Sequence, residues 1–282
     1  MAKKLGEKNS LGEKAYLAPS STSAPSTPLH PDIMESTQMP ALAFNHGSGS
    51  GSAVTDFLQT YAQLLPQAPT GILVVEAHMK HETSQPVQIV GDSALAARVA
   101  ACLQAQDIPS RLSPADSRHP RGAHGIDDAT LAFKSVPLVA ISVAANGADA
   151  RQSLSCGQAL APLREQGVLI LGSGVPAFHN FDVLRHGPKE VERVTAAFGT
   201  WLTDVLAIED SQARLQALSK WQEAAPSAQQ CHPGHDTHFS PTLVVAGACL
   251  EPGLPVHAST HRNIIPEAGP EGWPLMRHFE FR

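Results

Sequence analysis

Three short apolar runs dominate the chain and constrain it most: TGILVVEAHMK (70–80), VPLVAISVA (136–144) and GVLILGSG (167–174). Each is rich in β-branched residues, is about a strand long and ends abruptly in polar or glycine residues, as expected of buried strands in a largely parallel sheet. A shorter run, ALAFN, leads into a glycine-rich turn and predicts a first strand just after Met39. Between the runs lie stretches with helical spacing. These predict helices over Val54 to Leu65, over SALAARVAACLQAQ with Asp92 as its cap, and over SLSCGQALAPLREQ. Further helices are expected over Lys189 to Leu206, around Gln212 to Glu223, and over HFSPTLVVAGACL. Strands alternating with helices give an α/β fold, here a single domain with a central mixed sheet covered by helices. In such sheets ligands gather beyond the carboxyl ends of the strands, so the functional site is expected there.

Residues 39–282 are assigned to this domain. Residues 1–38 open with Lys3, Lys4, Lys8 and Lys14 and turn to Ser, Thr and Pro, which reads as a disordered tail, a cloning remnant or a transit peptide. They lack the continuous apolar core of a secretory signal. The last fifty residues, rich in Pro, Gly and His, show no clear period.

The composition narrows the function classes. The chain has 282 residues, 42% of them hydrophobic, and a formal net charge of -6, which does not invite nucleic acid. Gly, Pro or a charge interrupts every apolar stretch before the ~18 residues a membrane helix needs, so a protein without membrane association is expected. Cys102, Cys156, Cys231 and Cys249 show no CxxC spacing and read as reduced thiols of a cytoplasmic protein. HExxH, GxSxG, P-loop and dinucleotide fingerprints are absent. GSGSGS (47–52) lacks the Lys-Ser/Thr of a phosphate loop and reads as a flexible turn. Oligomeric state is not legible.

Fourteen histidines are present, and their positions matter more than their number. His46 follows ALAFN, His78 follows ILVVEA and His179 lies just past VLILGSG, so three strand ends each offer an imidazole to one crevice. CHPGHDTHF adds His232, His235 and His238 at the start of a helix, and His124 and His179 each lie beside glycines that permit close approach. Hydrogen-bonded core histidines and a surface chelating patch are the plain alternatives. His30, His81, His119, His186, His257, His261 and His278 lie in polar or Pro-rich surroundings and read as surface residues. Three neutral imidazoles meeting at one point would hold Fe, Zn, Cu or Ni and leave positions open for chemistry.

Taken together, NHG (45–47), EAH (76–78), AHG (123–125), GSG with a following HN (172–180) and HPGHDTHF (232–239) resemble the motifs of the DOPA-type class III extradiol dioxygenases of the LigB-like superfamily. The resemblance runs from about Met39 to Gly247. It implies metal ligands at His46, His78 and His238, an acid/base at His179, and a histidine at His124 that hydrogen-bonds substrate or dioxygen. It implies Fe(II) as the active metal, with Zn(II) acceptable to the same ligands, and a small aromatic diol and O2 as partners. The sequence departs from the family in three places. HETSQPVQIVGDS stands where an HDFxGFP segment and a YPAP stretch would be, AHG stands for DHG, and one extra residue in the HP motif makes His235 a second candidate for the third ligand. A zinc-dependent hydrolase and a non-catalytic metal-binding relative are the alternative functions.

Overall fold

Each apolar run becomes a strand of one sheet in the computed structural model, which describes residues 38–46, 52–81, 85–113, 124–144, 150–234, 236–251, 253–254, 256–261 and 276–282. The strands are β1 (Ala41–Asn45), β2 (Gly71–His81), β3 (Val87–Gly91), β4 (Ser110–Leu112), β5 (Leu138–Ala144), β6 (Val168–Gly174), β7 (Val256–His261) and β8 (Met276–Phe281). They form one eight-stranded sheet in the order β4-β3-β5-β2-β6-β1-β8-β7. The four central strands, β5, β2, β6 and β1, are mutually parallel. Antiparallel pairs flank them on both sides, β3 against β5 and β8 against β1 and β7, so the sheet is mixed. The expected α/β class holds. The tail and most of GSGSGS lie outside the described residues.

The helices are α1 (Ser52–Leu64), α2 (Ser93–Gln104), α3 (His124–Ala132), α4 (Ala150–Leu160), α5 (Pro162–Glu165), α6 (Phe181–Leu184), α7 (Pro188–Leu206), α8 (Ser211–Ser219), α9 (Trp221–Ala224), α10 (Ala228–Cys231) and α11 (Ser240–Gly247). Asp92 caps α2 as its sequence predicts, accepting a hydrogen bond from Leu95 N at 2.9 Å. Two expected helices are each broken in two. SLSCGQALAPLREQ divides at Pro162, which has no N–H with which to continue α4. The segment from Gln212 divides at Lys220, whose φ of -114° leaves the helix and lets Trp221 turn into the core, where it is 2% exposed.

Period-two alternation along the strands separates two cores. Leu42, Phe44, Ile72, Val74, Leu169 and Leu171 point to one face, where Val54 and Leu58 of α1 and Ile126 and Ala129 of α3 cover them. Ala41, Ala43, Leu73, Val75, Val168 and Ile170 point to the other, beneath α2, α4, α7 and α11. Helix α11 is apolar on all sides and every residue of it is buried, as a helix without a polar stripe must be. The sequence GSG at the end of β6 follows the same alternation. A Cβ on Gly172 or Gly174 would meet the carbonyls of Pro241 or His238, so these glycines let α11 and the turn before it lie against the sheet. Ser173 between them faces the opposite side. Among the described residues no helix is long and apolar enough to cross a membrane, and all four cysteines are free.

Candidate metal centre

Parallel neighbours end at the same edge of a sheet, so β1, β2 and β6 deliver their terminal residues to one rim. His46 is the first residue past β1 and is tied to β6 by its N–H, which donates to Gly174 O at 3.0 Å. Strand β2 runs past the expected end at His78 as far as His81, but its register against β5 shifts between Glu76 and Lys80. His78 lies in that irregular stretch. His238 arrives from the opposite layer, one turn before α11, where Val175 N donates to its carbonyl at 2.9 Å. Thr237 adds a stitch by donating from Oγ1 to Ala77 O at 3.1 Å.

These connections bring together the five histidines to which the resemblance gives roles, His46, His78, His124, His179 and His238. Ring centroids are 5.0 Å apart for His46 and His78, 5.3 Å for His46 and His238, and 4.8 Å for His78 and His238. His124, the first residue of α3, stands edge-on to His78 at 6.0 Å, and His179 stacks on His238 at 3.6 Å. His235, the second candidate for the third ligand, lies outside the described residues. His278, read from its surroundings as a surface residue, is instead 1% exposed and stacked on Phe57 at 4.1 Å.

The ligand-capable nitrogens of His46, His78 and His238 all lie within 4.8 Å of one another. The Nε2 atoms of His78 and His238 are 3.4 Å apart. Two nitrogens each ~2.1 Å from one tetrahedral ion would stand about that far apart, so the donor set fits a single transition metal. Burial holds the imidazoles neutral, as ligands must be. It lowers His46 well below its ordinary value, lowers His238, and lowers His78 to about 4, and the neighbouring histidines add to each shift. A second grouping, His179, Asp236 and His238, is joined by contacts of 3.0 and 2.6 Å, which are hydrogen-bond lengths.

Two buried carboxylates, neither foreseen from sequence, organise the rim. Asp236 faces three imidazoles: Oδ1 accepts from Nδ1 of His238 at 2.6 Å and of His179 at 3.0 Å, and Oδ2 accepts from Nδ1 of His232 at 2.8 Å. Burial pushes its carboxyl up, but the three hydrogen bonds outweigh that and hold it well below the usual carboxylate range. With Nδ1–H committed to Asp236, His238 and His179 keep their Nε2 lone pairs. His232 is fully buried among Phe198, Trp221 and Phe239. It belongs to the support of the site, and neither a ligand nor a surface patch describes it.

Glu76, 0% exposed, holds the other half. It accepts from His78 N at 3.1 Å and from Ser173 Oγ at 3.0 Å, and the main-chain N–H of Gly125 also bonds to it. Burial raises its carboxyl to about 7 against the pull of these donors. Ser173 Oγ in turn lies 3.0 Å from His46 Nδ1. Gly125 has no room for a side chain, since a Cβ there would strike Ser173 and Glu76, and this explains the glycine after His124. A charge inside the apolar run ILVVEA was the one sequence signal for Glu76. Asp236 gave only its position two residues before His238.

Comparisons with known proteins bear on the family and the fold of the chain. A stretch of 113 residues is 34% identical to 4,5-DOPA dioxygenase extradiol of Portulaca grandiflora, and 114 residues are 33% identical to the protein of that name from Mirabilis jalapa, 40% of either chain in both cases. The chain thus spans about two fifths of the length of these curated relatives. Dioxygenase tasH of Hapsidospora irregularis is 26% identical over 210 residues, covering 72% of this chain and 60% of its own. The crystal structure of the uncharacterized Escherichia coli K12 protein JW3007 superposes with a TM-score of 0.65 over 87% of this chain and 100% of its own, at 22% identity, a likeness of fold alone. Residues 48–265, which carry four of the five clustered histidines, match the family described as the catalytic LigB subunit of aromatic ring-opening dioxygenase, and the chain belongs to that family.

Proposed function

We propose that this protein is an extradiol ring-cleaving dioxygenase that opens a DOPA-like catechol with O2 at a mononuclear centre held by His46, His78 and His238. The observation that carries the reading is the convergence of those three imidazoles, two buried and one half-buried, at one strand rim. The family match and the names of the plant relatives support it. Fe(II) fits three neutral nitrogens with positions left open, and Zn(II) is acceptable to the same set. When bound, the metal would gather the two hydroxyl oxygens of the catechol, lower their pKa and supply the redox partner for dioxygen.

The protein's own groups handle the protons. His179 is the acid/base: its Nδ1–H is held by Asp236, so Nε2 can take a proton from a catechol hydroxyl and return it as the ring opens. Its side chain is 25% exposed, which leaves it in reach of substrate. His124, part-buried beside His78, donates to an oxygen of substrate or dioxygen. The ring breaks beside the two hydroxyls, and both atoms of O2 enter the product.

Anaerobic loading with Fe(II), followed by a panel of catechols including DOPA in air, should yield a yellow ring-opened product. His179→Ala should keep the metal and lose turnover. Release of metal by His179→Ala would overturn its role, and Zn(II)-dependent ester or amide hydrolysis without any ring opening would replace the reading as a whole.

A further inference from the structure

We infer that Glu76 and Ser173 set the proton position on His46, and that this relay keeps His46 able to bind metal. The inference rests on His46 being a metal ligand. Glu76 accepts from three donors, the N–H of His78, the N–H of Gly125 and the hydroxyl of Ser173. The Ser173 hydroxyl hydrogen is therefore directed at Glu76 Oε2, at 3.0 Å, and its oxygen is left as an acceptor. His46 Nδ1, 3.0 Å from that oxygen, must donate to it. The single proton of the neutral ring is then on Nδ1, and the lone pair is on Nε2. Glu76 and Ser173 are direct cross-strand partners in β2 and β6, and Phe44, two residues before His46, is the β1 partner of Ser173. All three therefore rise from the same face. The sheet register builds the relay, and the carboxylate of one ligand strand fixes the tautomer of a ligand on another.

The same carboxylate holds the main chain at His78 and at Gly125, next to His124. Glu76 and Ser173 are positioning residues, because they act on His46 through the hydrogen bonds that orient its ring. Glu76→Gln tests the proton direction with almost no change in shape. The amide NH2 would donate to Ser173 Oγ, the hydroxyl would turn to donate to His46 Nδ1, and the ring proton would move to Nε2, where it blocks the ligand lone pair. Adding Ser173→Ala removes the imposed donor and frees the ring to choose its tautomer again.

The experiment measures Zn(II) and Fe(II) affinity by chelator competition, and records the imidazole tautomers of the metal-free protein by nitrogen-15 NMR. Expected is a loss of roughly 10–100-fold in affinity for Glu76→Gln, the usual effect of removing a partner of a metal ligand. A shift of His46 to the Nε2–H form and recovery of part of the affinity in Glu76→Gln/Ser173→Ala are expected with it. A purely structural role for Glu76 would make the double variant worse than the single one, and that result overturns the inference. So does wild-type affinity in Glu76→Gln. His46→Ala keeps the two levels apart: if it binds metal as tightly as wild type, the ligand assignment fails and the relay falls with it. If it loses metal while Glu76→Gln does not, the relay alone is wrong.

Discussion

Helix α11 runs between two polar clusters that differ in kind. At its N-terminal end stand the histidines of the strand rim. At its C-terminal end, beneath the sheet, Arg164 and Arg214 are 0% and 1% exposed. Arg164 donates to Met39 O at 2.8 Å, to Ala248 O at 3.2 Å and to Glu251 at 2.8 Å, and Arg214 donates to Cys249 O at 2.7 Å. The guanidinium groups thus take the carbonyls of Ala248, the C-cap of α11, and of Cys249 just past it, and their charge suits the negative end of the helix dipole. A guanidinium does not deprotonate and has no lone pair to offer, so this end serves stability alone. Imidazoles at the upper end are turned by Asp236 and Glu76 so that nitrogen lone pairs are left over. What separates a site from a staple here is the direction of the protons, since both ends are buried and polar.

Substitutions at the two ends should therefore fail in different ways. The largest effect is expected for His238→Ala, which should no longer retain metal in a chelator challenge. Its metal-free form should lose only about 1–2 kcal/mol in urea unfolding, because Asp236 keeps two of its three imidazole donors. Arg164→Met should do the reverse and cost about 2–3 kcal/mol of stability through lost carbonyl hydrogen bonds, with Glu251 still part-exposed to water, while metal affinity changes little. A comparable metal defect in Arg164→Met would show that the two ends are coupled through α11.

The smallest expected effect is on pH dependence. His46, His78 and His238 are held below their ordinary value of 6.5, so their contribution to the stability of the metal-free protein is complete above pH 6.5. It is lost as the pH falls through the folded values, about 4 for His78. Glu76, raised to about 7, acts in the opposite sense, its contribution being complete below its ordinary 4.5 and lost as the pH rises through 7. Three imidazoles outweigh one carboxyl, so the urea midpoint should fall on acidification from pH 7 to pH 5. Arg164→Met should keep that slope, and His238→Ala should flatten it. An unchanged slope in His238→Ala would remove the rim histidines as its cause.

Much of the fold was legible because buried strands announce themselves. TGILVVEAHMK, VPLVAISVA and GVLILGSG became β2, β5 and β6, and ALAFN became β1. VQIVG, a five-residue strand, was hidden by its shortness within a polar loop, and β7 and β8 were hidden because their pairing with each other and with β1 spans sequence distances that local pattern does not report. His46, His78, His124, His179 and His238 stood out through their places beside apolar runs and glycines. His232 stood out only as a member of the CHPGHDTHF cluster, and its support of Asp236 was hidden because its burial by Phe198, Trp221 and Phe239 depends on the packing of separate elements.

The sequence by itself determined which residue types meet the rim: strand ends carrying imidazoles, and a GSG whose glycines admit α11 while its serine faces away. Only the tertiary structure decided how those imidazoles are protonated. A tautomer depends on the partner of the other ring nitrogen, and for His46 that partner comes from β6 and for His179 from the turn before α11. Periodicity places a side chain on a face, but the register between strands decides which acceptor it finds there.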